Sequence, residues 1–298
     1  METTTTTEFR NEVLKTTANT TFRISGGRRL ANDANVAYIL PSDQDEVKRL
    51  KLNHDLWKEL MNGLYKSDMH EQLEKGIRVL DVGCGPGWWT LDMAALYPNS
   101  QFVGIDMADV FVTKDLPSNV TFKRMNAGTG LDFDDGSFDF VFQRFLVMGL
   151  SVDQYSSSVA EIKRVLKPKG AIEILELIND YSNASPAFAR ITSWIQQAMD
   201  SRGLDSFIAD KVSSILETAG FQTIKDVNYD VPIGPWGGEP GEMFLAIQKL
   251  ALPAVKVMVT ELTSATPQEY DQTVQQALIE EAHSHQVSTR FRLIYATK

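Results

Sequence analysis

An apolar run that breaks into three closely spaced glycines is the feature that most constrains this chain. Residues 79–87 read VLDVGCGPG, and a helix-like amphipathic run begins at Trp88. Glycine has no Cβ, so such a turn lets the backbone lie directly against a ligand. A second apolar strand follows and ends in Asp106. An acidic residue about 20 positions after a glycine turn is where a dinucleotide fold accepts hydrogen bonds from ribose hydroxyls. The sequence therefore predicts a nucleoside site on an α/β sheet.

The spacing of the glycines separates two kinds of nucleoside site. A nicotinamide fingerprint reads G-x-G-x-x-G/A and directs a helix N-terminus at a pyrophosphate. Here the third glycine, Gly87, comes one residue early, and Asp81 precedes the turn. Pro86 also removes a backbone donor that an anion would use. The turn therefore favours a ligand without a phosphate. A turn that only packs a helix on a sheet is the structural alternative, and the flanking Asp81 and Asp106 weigh against it.

With these residues the chain resembles the class I methyltransferases that depend on S-adenosylmethionine. Their first motif is a hydrophobic strand followed by D/E-x-G-x-G-x-G, and residues 81–87 match it at every fixed position. The resemblance implies that S-adenosylmethionine is the cofactor and S-adenosylhomocysteine the product. It also implies a seven-stranded, mostly parallel, doubly wound (Rossmann-like) α/β sheet with an antiparallel last strand and helical lid additions.

Further segments follow the family order over about residues 77–178. Asn126 and Ala127 end a third strand, where the family binds the adenine ring; residues 131–142 and 160–170 resemble the segments around the fourth strand and before the fifth. Gln143 and Arg144 lie at the carboxyl end of the fourth strand, which faces the ligand in open α/β sheets. The resemblance implies these cofactor-binding residues: Tyr38, Asp81, Gly83, Cys84, Gly85, Gly87, Asp106, Met107, Asn126, Ala127, Gln143 and Arg144.

Two outer segments resemble fungal methyltransferases of secondary metabolism in particular. They are residues 35–54, which include Tyr38 and His54, and residues 231–236, which read VPIGPW. That group contains small-molecule methyltransferases and also regulators. The expected function is therefore transfer of a methyl group to an oxygen, nitrogen or sulfur nucleophile of a small molecule, a secondary metabolite, by in-line displacement. The alternatives are a protein methyltransferase or regulatory relative that acts on a macromolecule, and a binding protein that keeps the fold without catalysis.

Catalytic side chains are harder to find, because the sulfonium is already a strong electrophile and transfer mainly requires positioning. An oxygen or nitrogen nucleophile can also need a base. His54 is one candidate base, because the resemblance places it near the site, and Glu176 at the end of the fifth strand is the other. Packing is the competing role for both. No metal is expected: Asp134–Asp135 has ordinary turn chemistry, and a hard cation needs several converging oxygen ligands.

Composition limits the partners that we expect. The net charge of −10 argues against nucleic acid, which needs basic patches. No uninterrupted apolar run approaches the roughly 20 residues of a membrane span, and the polar N-terminus does not resemble a secretory signal. The single cysteine, Cys84, suits a reducing compartment, so a cytoplasmic location is expected. The sequence leaves open whether the protein is a monomer or a homodimer.

The chain divides into three expected parts. Residues 1–20 are predicted to be disordered. Residues 21–70 are predicted to form N-terminal helices that cover the cofactor as a lid, with Asp43 as a helix cap. Residues 71–298 form the predicted methyltransferase domain, with helical insertions at about 181–205 and 239–284.

Overall fold

The computed structural model describes residues 22–25, 28–31, 43–108, 110–283 and 286–298. The segment predicted to be disordered, residues 1–20, lies outside this range. Within it, Phe22–Ser25 (β1) and Arg28–Ala31 (β2) pair as an antiparallel hairpin. This hairpin was not anticipated in the N-terminal part, for which only helices were predicted.

A seven-stranded sheet forms the centre of the described structure. In chain order its strands are Arg78–Val82 (β3), Gln101–Asp106 (β4), Val120–Arg124 (β5), Phe138–Arg144 (β6), Leu166–Ser182 (β7), Gln222–Ile233 (β8) and Val287–Thr297 (β9). Their spatial order is β5-β4-β3-β6-β7-β9-β8. β3 pairs in parallel with β4 and β6, while β9 runs antiparallel between β7 and β8. The predicted fold class is confirmed.

Helices connect and cover the strands. They are Gln44–Leu60 (α1), His70–Lys75 (α2), Trp88–Leu96 (α3), Val152–Val165 (α4), Pro186–Asp200 (α5), Val212–Thr218 (α6), Gly238–Leu262 (α7) and Pro267–His283 (α8). Local caps define several starts. The Asp43 carboxylate accepts the N–H of Glu46 at 3.1 Å, as the sequence predicts. Ser151 and Gln154 form a reciprocal capping box that begins α4.

The core lies on both faces of the sheet, because successive strand residues point to opposite sides. On β3, Val79 joins a cluster with Trp89 and Phe140, whereas its neighbour Leu80 joins the larger cluster. The larger cluster continues into α5, α7 and α8, so these helices form a cap over one part of the sheet. This cap closes the cavity described below.

Helix α7 is the longest helix in the described residues. Together with the preceding turn, residues 235–262 are long and apolar enough to cross a membrane by length and composition alone, and half of the most apolar window is buried in the fold. Its sequence contains no long uninterrupted apolar run, because Gln248, Lys249 and Lys256 interrupt the apolar residues. In the structure α7 packs on α1, α5, α8 and β8.

Candidate cofactor and substrate site

The glycine turn after β3 is hydrogen-bonded to the end of β4. The N–H groups of Gly83 and Cys84 both donate to the carbonyl oxygen of Ile105, at 2.8 and 2.9 Å. The next donor, the N–H of Gly85, donates to the Asp106 carboxylate at 2.9 Å. The turn and the acidic residue that the sequence singled out are therefore in direct contact.

The three glycines of the turn have positive φ values but different surroundings. A Cβ on Gly83 would lie 2.5 Å from Leu146, and one on Gly87 would lie 2.3 Å from the ring of Phe122. Within the described residues, a Cβ on Gly85 would meet nothing closer than a Leu50 methyl group at 3.8 Å. A side chain on Gly83 or Gly87 would therefore displace a packed neighbour, the end of Leu146 or the ring of Phe122. Gly85 instead leaves open space on the cavity side, where a ligand can touch the backbone.

Asp106 has the capacity to bind a sugar. Each of its carboxylate oxygens accepts one backbone N–H, from Gly85 and from Ala108. A carboxylate offers about four acceptor positions, so two remain for hydroxyl donors. Burial raises the pKa of Asp106 to about 6, and the bonds from Ala108 and Gly85 oppose this shift. The free lone pairs and the open space over Gly85 fit the ribose and backbone contacts that S-adenosylmethionine would make here.

Asp81 is buried beneath the turn, where its carboxylate accepts the Thr90 hydroxyl at 2.6 Å. Burial raises its pKa to about 6, and the positive charge of Arg144 lowers it. Asp81 is not among the residues that line the cavity. In this geometry it ties β3 to α3 and supplies charge to Arg144.

Arg144 joins the end of β6 to α1. Its Nη2 donates to His54 Nδ1 at 3.0 Å, and His54 Nε2 lies 3.2 Å from the Asp92 carboxylate. Because arginine can only donate, Nδ1 is the acceptor and Nε2 carries the proton. Burial lowers the pKa of His54, and burial also lowers the pKa of Arg144, to about 10. His54 is therefore a neutral ring with both nitrogens engaged, which supports a positioning role.

Gln143 and Glu176 belong to a second buried network. The Glu176 carboxylate accepts the N–H groups of Leu146 and Val147 at 2.9 and 3.2 Å, and the hydroxyl of Tyr155 at 3.1 Å. The Gln143 amide donates to the same hydroxyl at 3.0 Å. Burial raises the pKa of Glu176 to about 7. Neither residue lines the cavity; their contacts fix the loop after β6, whose side chains do.

One cavity runs from the glycine turn to the helical cap. Its cofactor end is lined by α1, the turn, Asp106 and Arg144. Its other end, which we call the apolar chamber, is lined mainly by hydrophobic side chains of the β6 loop, β7, α5, α7 and β9. The chamber residues are Phe145, Leu146, Val147, Met148, Leu177, Asn179, Tyr181, Phe188, Thr192, Ile195, Phe244, Ile247, Gln248, Ala251, Leu252, Val255 and Phe291.

The remaining predicted cofactor residues lie around this cavity. Cys84 lines it, and burial raises the pKa of its thiol. Met107, Asn126 and Ala127 follow the carboxyl ends of β4 and β5, outside the enclosed cavity, and Asn126 Oδ1 accepts the N–H of Gly128 at 2.9 Å. Tyr38 lies outside the described residues. The adenine and Tyr38 assignments stay predictions.

Sequence reasoning missed most of the chamber and part of α1. Arg49, Leu50 and Asn53 line the cavity beside His54. The spacing of Leu50, Asn53 and His54 is that of one helix face, so the signal was present on α1. The chamber residues come from five separate elements and carry no shared motif. Among the described residues, no group of three or more His, Cys, Asp or Glu side chains has a geometry that could hold a metal.

The comparisons agree with this geometry. Residues 79–170 match the family model described as a methyltransferase domain. The secondary metabolism regulator laeA of Coprinopsis cinerea is 32% identical over 154 residues, which are 50% of this chain and 38% of the regulator. The N-methyltransferase verN of Clonostachys rogersoniana is 26% identical over 217 residues, covering 70% of this chain and 74% of that enzyme. The chain thus spans well under half the length of the Coprinopsis relative.

A solved structure adds the fold. A putative methyltransferase from an antibiotic biosynthesis pathway of Anabaena variabilis superposes with a TM-score of 0.51 at 15% identity, over 75% of this chain and 91% of that chain. This likeness shows the fold, and the domain match identifies residues 79–170 as a methyltransferase domain.

Proposed function

We propose that the protein is an enzyme that transfers the methyl group of S-adenosylmethionine to an oxygen, nitrogen or sulfur atom of a small, largely apolar molecule. The observation that carries this proposal is the continuity of one cavity from Gly85 and Asp106 to the apolar chamber under α5 and α7. A molecule in the chamber would face the glycine turn, and no element of the described structure lies between them. In-line displacement requires this arrangement of acceptor and cofactor.

The side chains of the site contribute mainly by positioning. Bound S-adenosylmethionine would supply an electrophilic methyl group; Asp106 would hold its ribose and the Gly85 backbone would lie against it. The chamber residues would exclude water and orient the acceptor, and positioning of this kind can contribute about 7–11 kcal/mol. His54 Nδ1 already accepts from Arg144. This favours an acceptor whose attacking lone pair is available without proton removal by the protein.

The names of the relatives support two versions of this function. Relatives described as N-methyltransferases favour a small-molecule acceptor, whereas those described as secondary metabolism regulators favour a macromolecular one. The apolar lining of the chamber and its position beneath α5 and α7 support the first version. Secondary metabolism is the context common to both versions.

The test is an incubation of the purified protein with S-adenosylmethionine that carries a labelled methyl group. A library of small metabolites and a protein extract are offered in parallel, and the products are separated by size and read by mass. A labelled small molecule that gains one methyl group supports the proposal. Label found only in the macromolecular fraction, or cofactor binding without transfer in either arm, contradicts it.

A further inference from the structure

One face of strand β7 lines the apolar chamber. Leu177, Asn179 and Tyr181 all line it, and their spacing of two places them on one face of the strand. β7 and β9 are in register up to Leu177, opposite Phe291, and again from Tyr181. Asn179 lies in the irregular stretch between, where its N–H donates to the carbonyl of Ser206 at 3.1 Å. A polar side chain is therefore held at a fixed point of an apolar wall.

The side-chain amide of Asn179 has an unused donor. Its Nδ2 is buried and has no hydrogen-bond partner among the described residues. The neighbouring polar group is satisfied, because the Tyr181 hydroxyl is hydrogen-bonded with the side chains of Gln248 and Thr289. Burying an amide donor without a partner is unfavourable. Asn179 itself lines the chamber, so a rotation of its side-chain amide would bring this donor to an acceptor that arrives with the ligand.

The surroundings of Asn179 limit the charge of that ligand. Among the described chamber residues none carries a charge, and the carboxylate in the cavity wall is that of Asp106 beside the glycine turn. A cation or an anion in the chamber would therefore have no counter-charge there, which makes its desolvation costly. Apolar contacts come from residues such as Phe188, Phe244 and Phe291. The chamber suits a neutral molecule with a hydrophobic body.

We propose that the chamber selects a neutral, hydrophobic methyl acceptor that carries a carbonyl-type oxygen, and that Asn179 Nδ2 donates the hydrogen bond that recognises this oxygen. Asn179 is then a specificity residue, distinct from the groups that hold the cofactor. The inference rests on the proposed function in one respect: the molecule in the chamber is taken to be the methyl acceptor.

The test uses two probes of nearly equal shape, 2-acetylnaphthalene and 2-isopropenylnaphthalene, in which a CH₂ group replaces the carbonyl oxygen. Calorimetric titration of the full chain saturated with S-adenosylhomocysteine gives both dissociation constants. We expect the ketone to bind about tenfold more tightly, and Asn179→Leu to remove this preference while both probes still bind. The control is Thr192→Val, because the Thr192 hydroxyl in the same chamber already donates to the carbonyl of Ala189 at 2.9 Å. It should keep the preference.

Three results would overturn the inference: equal binding of the two probes by the unaltered protein, a preference that survives in Asn179→Leu, or no binding of either probe. The titration does not depend on turnover. A tenfold preference that Asn179→Leu abolishes, in a protein that methylates no small molecule, would therefore contradict the proposed function and leave the Asn179 site intact.

Discussion

His54 and Arg144, 90 positions apart in the chain, meet at 3.0 Å between Nδ1 and Nη2. The contact links helix α1 to the carboxyl end of β6 at the wall of the cavity. Asp92 on α3 completes the link from the other side of the ring. The helix that covers the cofactor end is thus tied to the sheet and to the helix that follows the glycine turn.

This link predicts a pH dependence of stability. Burial lowers the pKa of His54 in the folded protein, whereas the unfolded ring has a pKa of about 6.5. As the pH falls below that value, the unfolded chain binds a proton that the folded ring resists, so stability is lost toward acid. His54→Gln does not titrate. Urea unfolding should show the wild type losing free energy of unfolding relative to His54→Gln between about pH 7.5 and 5.5; the opposite trend would contradict the assignment.

A variant of His54 distinguishes a catalytic base from a positioning residue. His54→Ala removes the acceptor for Arg144 and should cost about 1–3 kcal/mol of stability. If His54 positions Arg144, the pH profile of kcat should keep its shape while its height falls. Loss of the acidic limb of that profile, with the protein still folded, would show instead that His54 is the base.

Gly85 and Gly87 form a matched pair in one turn. Alanine at either position adopts a positive φ at a cost of about 1–2 kcal/mol. At Gly87 the new Cβ would also press on Phe122, whereas at Gly85 it would enter open space. Melting temperatures should therefore fall further for Gly87→Ala. Titration with S-adenosylhomocysteine should show a loss of about tenfold or more, about 1.4 kcal/mol, for Gly85→Ala. Normal affinity in Gly85→Ala would remove Gly85 from the cofactor site.

Asp106→Ala tests the ribose contact. S-adenosylmethionine and S-adenosylhomocysteine carry the same ribose, so both should weaken by a similar factor, about 10- to 100-fold if a charged hydrogen-bond acceptor is lost. Asp135→Ala is the control, since Asp135 pairs with Arg164 at 2.7 Å, away from the cavity. Calorimetry should show unchanged affinity in the control. Normal binding of both ligands by Asp106→Ala would contradict the ribose assignment.

The sheet was predictable because its signals are local. The run from Val79 to Gly87 breaks an apolar strand with glycines, and Asp106 ends the next strand, so the order of strand, turn and helix can be read directly. The resemblance also predicts an antiparallel last strand, and β9 is antiparallel to its neighbours β7 and β8. The hairpin of β1 and β2 was not predictable, because its eight residues have no long hydrophobic period.

The site was predictable only where it coincides with a motif. Glu176 was placed at the end of the fifth strand, yet β7 continues to Ser182. The cavity face of that strand carries Leu177, Asn179 and Tyr181, and Glu176 points to the other side. The length of β7, and which of its faces lines the cavity, depend on its pairing with β9 and on the packing of α5 and α7. Neither can be read from a single sequence. The chamber could not be read for the same reason.

Activity is expected to survive chelation. Asp135 Oδ1 accepts from Arg164, and Ser137 bonds the carbonyl of Asp134, so this acidic pair is engaged in a turn. Turnover measured with and without EDTA should agree within error. A loss in EDTA that magnesium restores would show that a divalent cation takes part.

The central claim is that the methyl acceptor occupies the apolar chamber. Ala251 on α7 lines the chamber, so Ala251→Phe should fill it. Lys249→Phe places the same ring on the exposed side of the helix as a control. The direct measurement is methyl transfer to the metabolite library alongside the affinity for S-adenosylmethionine. We predict that Ala251→Phe loses methyl transfer. Its cofactor affinity should stay within about twofold, because Ala251 lines the chamber and not the cofactor end of the cavity. Lys249→Phe should keep both transfer and cofactor affinity. Full transfer by Ala251→Phe would contradict the claim.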